Sequence, residues 1–168
     1  MHFNMNKKYK DYKIQQYLEV LSKKTPVPGG GSAAALTGAL GVALLLMVAH
    51  YSLGKGKQKR VEEKISRLII ELEELKNHFI ELIDLDAKAY QGIVNAKKEG
   101  PKAKKAAVNF AIKISKDMCK YCYTAIKIAV YLERQGNKYL LSDVEVAAEN
   151  LRAAFNSAKI NEEVNKKG

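Results

Sequence analysis

Polar and apolar positions recur at helical spacing along almost the whole chain. Val61, Ile65, Leu68, Leu72, Leu75, Phe79 and Leu82 alternate steps of four and three, the packing stripe of a long helix, so the spacing predicts a helix from about Gln58 to Lys98. The next step of four lands on Asp86, and the stripe resumes at Ala89, Ile93 and Ala96. A carboxylate on a buried seam is costly unless it is paired. Two readings of Asp86 therefore stand. In one it has a partner, or the seam opens there onto a cavity. In the other the stripe drifts by about 20° per heptad, carrying Ile83 and Tyr90 inward and Asp86 outward. Asp84 has a weaker claim.

The same periodicity predicts the other elements. A first helix ends near Ser22, with Tyr9, Tyr12, Ile14, Tyr17, Leu18 and Leu21 as its apolar positions, and Lys23-Lys24-Thr25-Pro26 stops it. A second follows Ser32, through the uncharged run from Ala33 to Ala49, and ends near Leu53-Gly54-Lys55-Gly56. Gly38 and Gly41 each cost this helix about 1 kcal/mol relative to Ala. With Ala34 they suggest a face where another helix, from this chain or a second subunit, comes close. The run approaches membrane-spanning length, but it is rich in Ala and Gly and its neighbours are amphipathic, which predicts a fully buried helix of a bundle.

Glu99-Gly100-Pro101 breaks the third helix. A fourth then runs to about Gln135 on Ala106, Phe110, Ile114, Met118, Tyr121, Ala125, Ile128 and Leu132. The last opens on the capping-box pattern Ser142-Asp143-Val144-Glu145 and presents Ala147, Leu151, Ala154, Ala158, Asn161 and Asn165 on one face. Asp143 suits the positive end of a helix and is also a candidate acid. Buried amides need partners, so Asn161 and Asn165 bond across an interface or meet a polar ligand. The expected architecture is all-α, a five- or six-helix array around a central buried Ala/Gly-rich helix, in a single domain over residues 1–168.

Thr25-Pro26-Val27-Pro28-Gly29-Gly30-Gly31-Ser32 leads into that central helix. Triple glycine admits close approach of a ligand or a neighbouring helix, because no Cβ intervenes. Ser32 is a favourable N-cap residue, and free amides at a helix start can hold an anion or a polar group. The loop lacks the Gly-Lys-Ser/Thr ending of a nucleotide P-loop, and from its chemistry alone a glycine turn that packs the helix tightly against a neighbour is the favoured reading.

The 168 residues carry a net charge of +11, which invites nucleic acid, a membrane surface or an anionic small molecule. The basic residues are spread, without the aromatic interleaving of a single-strand platform, so the reading is a solvated lysine-rich surface, with neither nucleic acid nor membrane as partner. Cys119 and Cys122 fall inside a helical pattern, and His2, His50 and His78 are scattered. Neither a redox motif nor a zinc site is expected; the cysteines read as reduced residues in or near the core. With a polar, lysine-rich N-terminus lacking an apolar signal segment, a cytoplasmic setting follows.

Four segments together, Pro26-Val27-Pro28-Gly29-Gly30-Gly31-Ser32, Leu53-Gly54-Lys55, Leu82-Ile83-Asp84-Leu85-Asp86-Ala87, and Ser142-Asp143-Val144 leading to Ala153-Ala154 and Asn161, resemble the cyclodeaminase/cyclohydrolase family from about Tyr17 to Asn165. Where that family's pattern has Asn-x-Thr-Leu-Gly, this chain has His50-Tyr51-Ser52-Leu53-Gly54. The resemblance implies an all-helical homodimer acting on a tetrahydrofolate derivative as substrate, with no bound cofactor and no metal. The reaction would be opening of 5,10-methenyltetrahydrofolate by water, or closure of 5-formiminotetrahydrofolate with loss of ammonia. Asp86 and then Asp143 are the implied acid/base groups. Pro28, Gly29, Gly30, Gly31, Ser32, His50, Lys55, Lys57, Tyr90, Asn161 and Asn165 are the implied substrate contacts, the lysines attracting the anionic tail. A non-catalytic helical folate-binding or scaffold homologue is the alternative.

Overall fold

A computed structural model describes residues 8–54 and 56–167. Its α-helices are α1 (Ile14–Leu21), α2 (Gly30–Ser52), α3 (Lys59–Ala96), α4 (Pro101–Gln135) and α5 (Leu141–Lys167), with short 3-10 turns at Tyr9–Asp11 and Lys138–Leu140. No strand occurs among the described residues, so the all-α expectation holds.

α2 is the centre, because a helix apolar on nearly every side is satisfied only by neighbours on several sides. It packs against α3 and α5, and α4 closes the array against α3 and α5. Ala35, Val42, Leu45, Val48 and Ala49 are fully buried. By length and composition α2 could cross a membrane, but most of it is buried inside the bundle. The small-residue face meets helices of the same chain. A Cβ on Gly38 would lie 2.3 Å from the Phe79 ring of α3, and one on Gly41 would lie 3.0 Å from the Ala147 carbonyl of α5. The pairings Gly38 with Phe79 and Gly31 with Asp86, and Gly41 with Leu151 and Gly30 with Asn161, run α3 and α5 antiparallel to α2.

The α3 seam is buried as its spacing predicts, from Ile65 through Leu82 and again at Ala89 and Ala96. The drift also takes effect in part: Ile83 turns inward, whereas Tyr90 is 47% exposed.

Five expectations change. The first helix is split, because the Asp84 carboxylate accepts from the Tyr9 amide at 2.7 Å and holds Tyr9–Asp11 as a separate turn. Within α1 only Tyr17 and Val20 are buried, while Ile14 and Leu18 face outward. α2 starts at Gly30, two residues before Ser32, with Gly29 as its cap. The Ser142 capping box is not used, because a 3-10 turn runs directly into α5 and Asn137 caps that turn by accepting from the Tyr139 amide. In the early turns of α4, Phe110 is exposed and Ala111 takes the inward position.

Candidate active site

The glycine loop, α3 and α5 enclose a cavity of about 240 Å³ at one end of the bundle. Pro26, Val27, Gly29, Gly30 and Gly31 form one wall; Asp86, Ala89, Tyr90 and Ile93 of α3 form a second. Asn161, Val164 and Asn165 of α5 form a third, and Ala111 of α4 closes the space between them. The seam of α3 thus opens onto a cavity where its stripe is interrupted by Asp86.

The carboxylate of Asp86 stands directly over the backbone of Gly31. A Cβ there would lie 2.0 Å from its Oδ1 and 2.7 Å from its Oδ2, so only glycine leaves the space. Burial pushes the Asp86 carboxyl above the ordinary carboxylate value, against the opposing pull of a hydrogen bond from the Ser32 main-chain amide. That amide is one of the unpaired donors in the first turn of α2. One group therefore completes a helix start and faces a cavity. Across the cavity, the Asn161 amide oxygen comes to 4.0 Å from where a Gly30 Cβ would be.

Ser32 lies behind this wall. It is fully buried, and its hydroxyl is 2.9 Å from the Tyr17 hydroxyl of α1. Burial raises the Tyr17 phenol, the Ser32 bond lowers it, and the charges of Asp86 and Asp84 raise it further. Pro28 is buried in the hinge, after a cis Val27–Pro28 bond, and does not line the cavity. The loop is tied from outside as well: the Tyr9 hydroxyl donates to the Val27 carbonyl at 3.3 Å. Asp84 is thereby accounted for as the anchor of the N-terminal turn, not as a group of the cavity.

The sequence candidates divide between two ends of the bundle. Gly29, Gly30, Gly31, Asp86, Tyr90, Asn161 and Asn165 share the cavity. His50, Lys57 and Asp143 do not. His50 follows Gly31 by nineteen residue steps along α2, roughly 28 Å at 1.5 Å per residue, and the run from Asp143 to Asn161 spans about 27 Å. The far end has its own bonding. Lys57 Nζ donates to the Gly136 carbonyl at 3.1 Å, the Asn137 amide donates to Ser52 Oγ at 2.8 Å, and the Asn137 side chain donates to the Tyr51 carbonyl. His50 is exposed in the last turn of α2, and Asp143 sits in the first turn of α5, where an acid complements the dipole. Lys55 lies outside the described residues. Sequence reasoning missed Tyr17 as a neighbour of Ser32, since two hydroxyls from separate helices leave no periodic signal. Among the described residues, no group of three or more His, Cys, Asp or Glu gathers as a metal site.

Comparison with known proteins gives a consistent set. The family model described as formiminotransferase-cyclodeaminase matches residues 13–168. A methenyltetrahydrofolate cyclohydrolase of Methylorubrum extorquens is 32% identical over 92% of this chain and 79% of its own. The formimidoyltransferase-cyclodeaminase of Gallus gallus is 26% identical over 90% of this chain but only 30% of its own. The solved formiminotetrahydrofolate cyclodeaminase of Thermotoga maritima superposes with a TM-score of 0.90 at 26% identity, covering 94% of this chain and 79% of that one.

Proposed function

Because this chain belongs to the formiminotransferase-cyclodeaminase family, we propose that it acts on the one-carbon bridge of a tetrahydrofolate, as a methenyltetrahydrofolate cyclohydrolase. The observation that carries the reading is the Asp86 carboxylate, held over Gly31 and facing a cavity walled by main chain and two asparagine amides.

The methenyl carbon lies between two nitrogens that share a positive charge. A carboxylate close to it stabilises that cation, and as water adds, the same group accepts the water's proton. It returns that proton to the nitrogen that leaves as the ring opens, and the carbinol hydroxyl gives up its own proton to solvent as the formyl C=O of 10-formyltetrahydrofolate forms, so one proton is released overall. Burial raises Asp86, which makes it a better base than an exposed aspartate and suits both halves of this transfer. Asn161 and Asn165 supply donors and acceptors for the pterin edge, and half-exposed Tyr90 flanks the mouth. The close structural match to a cyclodeaminase favours a second reading: ring closure of 5-formiminotetrahydrofolate with loss of ammonia, centred on the same carbon and served by the same carboxylate.

The working form is a homodimer. The outward side of α2 carries Leu36, Leu40, Leu44, Met47 and Tyr51 at steps of four, four, three and four. Leu40 and Tyr51 are 54% and 59% exposed. On a chain of charge +11, this uncharged stripe is where a second copy meets least repulsion. Leu40→Glu is expected to yield monomer in analytical ultracentrifugation; an unchanged sedimentation profile refutes this contact. The free thiols Cys119 and Cys122 support a reducing, cytoplasmic setting.

Methenyltetrahydrofolate absorbance decides the activity. Loss when the methenyl form is supplied marks the cyclohydrolase; appearance from the formimino form marks the cyclodeaminase. Folded Asp86→Asn that retains full turnover in both assays refutes the carboxylate role, and wild-type protein inactive in both leaves the non-catalytic binding homologue.

A further inference from the structure

α1 is too short to be stable alone, and it buries only two side chains, Tyr17 and Val20. One of these is a phenol directed at the first turn of α2. Tyr17 is 4% exposed, Ser32 is fully buried, and their hydroxyls are 2.9 Å apart. Ser32 belongs to the turn whose main chain carries Asp86: its own amide bonds the carboxylate, and the adjacent Gly31 lies beneath it. We propose that Tyr17 is a positioning residue for Asp86, its hydroxyl fixing Ser32 so that the Ser32 amide and the Gly31 backbone hold the carboxylate at the cavity wall. The inference rests on the catalytic reading of Asp86 given above.

The surroundings of Asp86 leave few other groups for this task. Tyr17 faces it from α1, Ser32 from α2, and neutral Asn161 and Asn165 from α5. Tyr90 follows it by one turn of α3, and α4 contributes the apolar Ala111. Burial raises its titration, and the Ser32 amide opposes that rise. With Tyr17→Phe, a buried hydroxyl loses its partner and the first turn of α2 is freed to shift. The amide bond that favours the ionised carboxylate weakens, so the Asp86 titration moves to higher pH.

The test uses full-length Tyr17→Phe, Ser32→Ala and the double variant. In each folded single variant, kcat for the methenyl substrate is expected to fall about tenfold to a hundredfold with KM changed by less than about threefold, because the perturbed group acts on the reacting atoms. The acidic limb of the kcat profile moves to higher pH, and carbon-13 NMR of aspartate-labelled protein shows the same displacement of the Asp86 resonance. The double variant falls no further than the worse single one, as expected for two halves of one interaction. Unchanged kcat and an unmoved Asp86 midpoint in either single variant, or additive losses in the double, overturn the proposal. Should one single variant fail to fold, the other carries the measurement alone. If Asp86→Asn is fully active, the reading of the site has failed, whereas inactive Asp86→Asn beside wild-type-like Tyr17→Phe defeats only the positioning role.

Discussion

Gly31→Ala isolates the central contact with one methyl group. The new Cβ would stand 2.0 Å from Asp86 Oδ1, 2.4 Å from its Cγ and 2.7 Å from Oδ2. Restoring an ordinary contact of about 3.5 Å requires the carboxylate to retreat by more than about 1 Å. Retreat from Gly31 draws it away from the neighbouring Ser32 amide that opposes its protonation. A hydrogen bond to a charged group contributes about 1.5–3 kcal/mol, and alanine in place of glycine returns up to about 1 kcal/mol of helix propensity. The net loss of stability is therefore about 0.5–2 kcal/mol, small enough to leave the protein folded. The effect on turnover is much larger, since a misplacement of about 1 Å in a catalytic group costs about a hundredfold. The methenyltetrahydrofolate absorbance assay, with circular dichroism to confirm the fold, checks both parts. A folded Gly31→Ala with kcat within about twofold of wild type, a change of only about 0.4 kcal/mol in barrier, refutes the geometry assigned to Asp86.

Asp86→Asn is expected to raise Tm at neutral pH. The folded-state pKa of Asp86 lies above its ordinary 3.8, so the cost of the buried charge is full above the folded value and vanishes below 3.8; thermal melts across pH should show the gain shrink as pH falls. Gly38→Ala is expected to lower Tm by several degrees. A Cβ 2.3 Å from the fully buried Phe79 ring costs about 1–3 kcal/mol of overpacking, which outweighs about 1 kcal/mol of helix propensity; a higher Tm in calorimetry refutes it. Glu162, buried between Lys166 at 2.7 Å and Lys159 at 3.0 Å, is held from 4.5 down to about 2 by those ammonium groups. Its stabilisation is complete above 4.5 and lost as pH falls through about 2, so Glu162→Gln should melt earlier at neutral pH, with the gap closing over that interval.

Much of this molecule was legible in the order of its residues. The four-three stripe of α3, the uncharged run of α2 and the alanine face of α5 each follow from burying one side of a helix, a local property that periodicity records directly. The interruption at Asp86 was legible for the same reason, as a charge on a seam otherwise apolar. What periodicity could not do was choose between a drifting stripe and an open cavity. Only the antiparallel packing of α3 and α5 on α2 decided that, by placing Asp86 over Gly31 and Asn161 beside Gly30. Tertiary structure likewise separated His50, Lys57 and Asp143 from the cavity, because a straight helix carries residues of one motif set to opposite ends of the bundle. The link between Tyr17 and Ser32 belongs to the same class: a contact between hydroxyls on different helices has no spacing along the chain, so it exists only once the helices are packed.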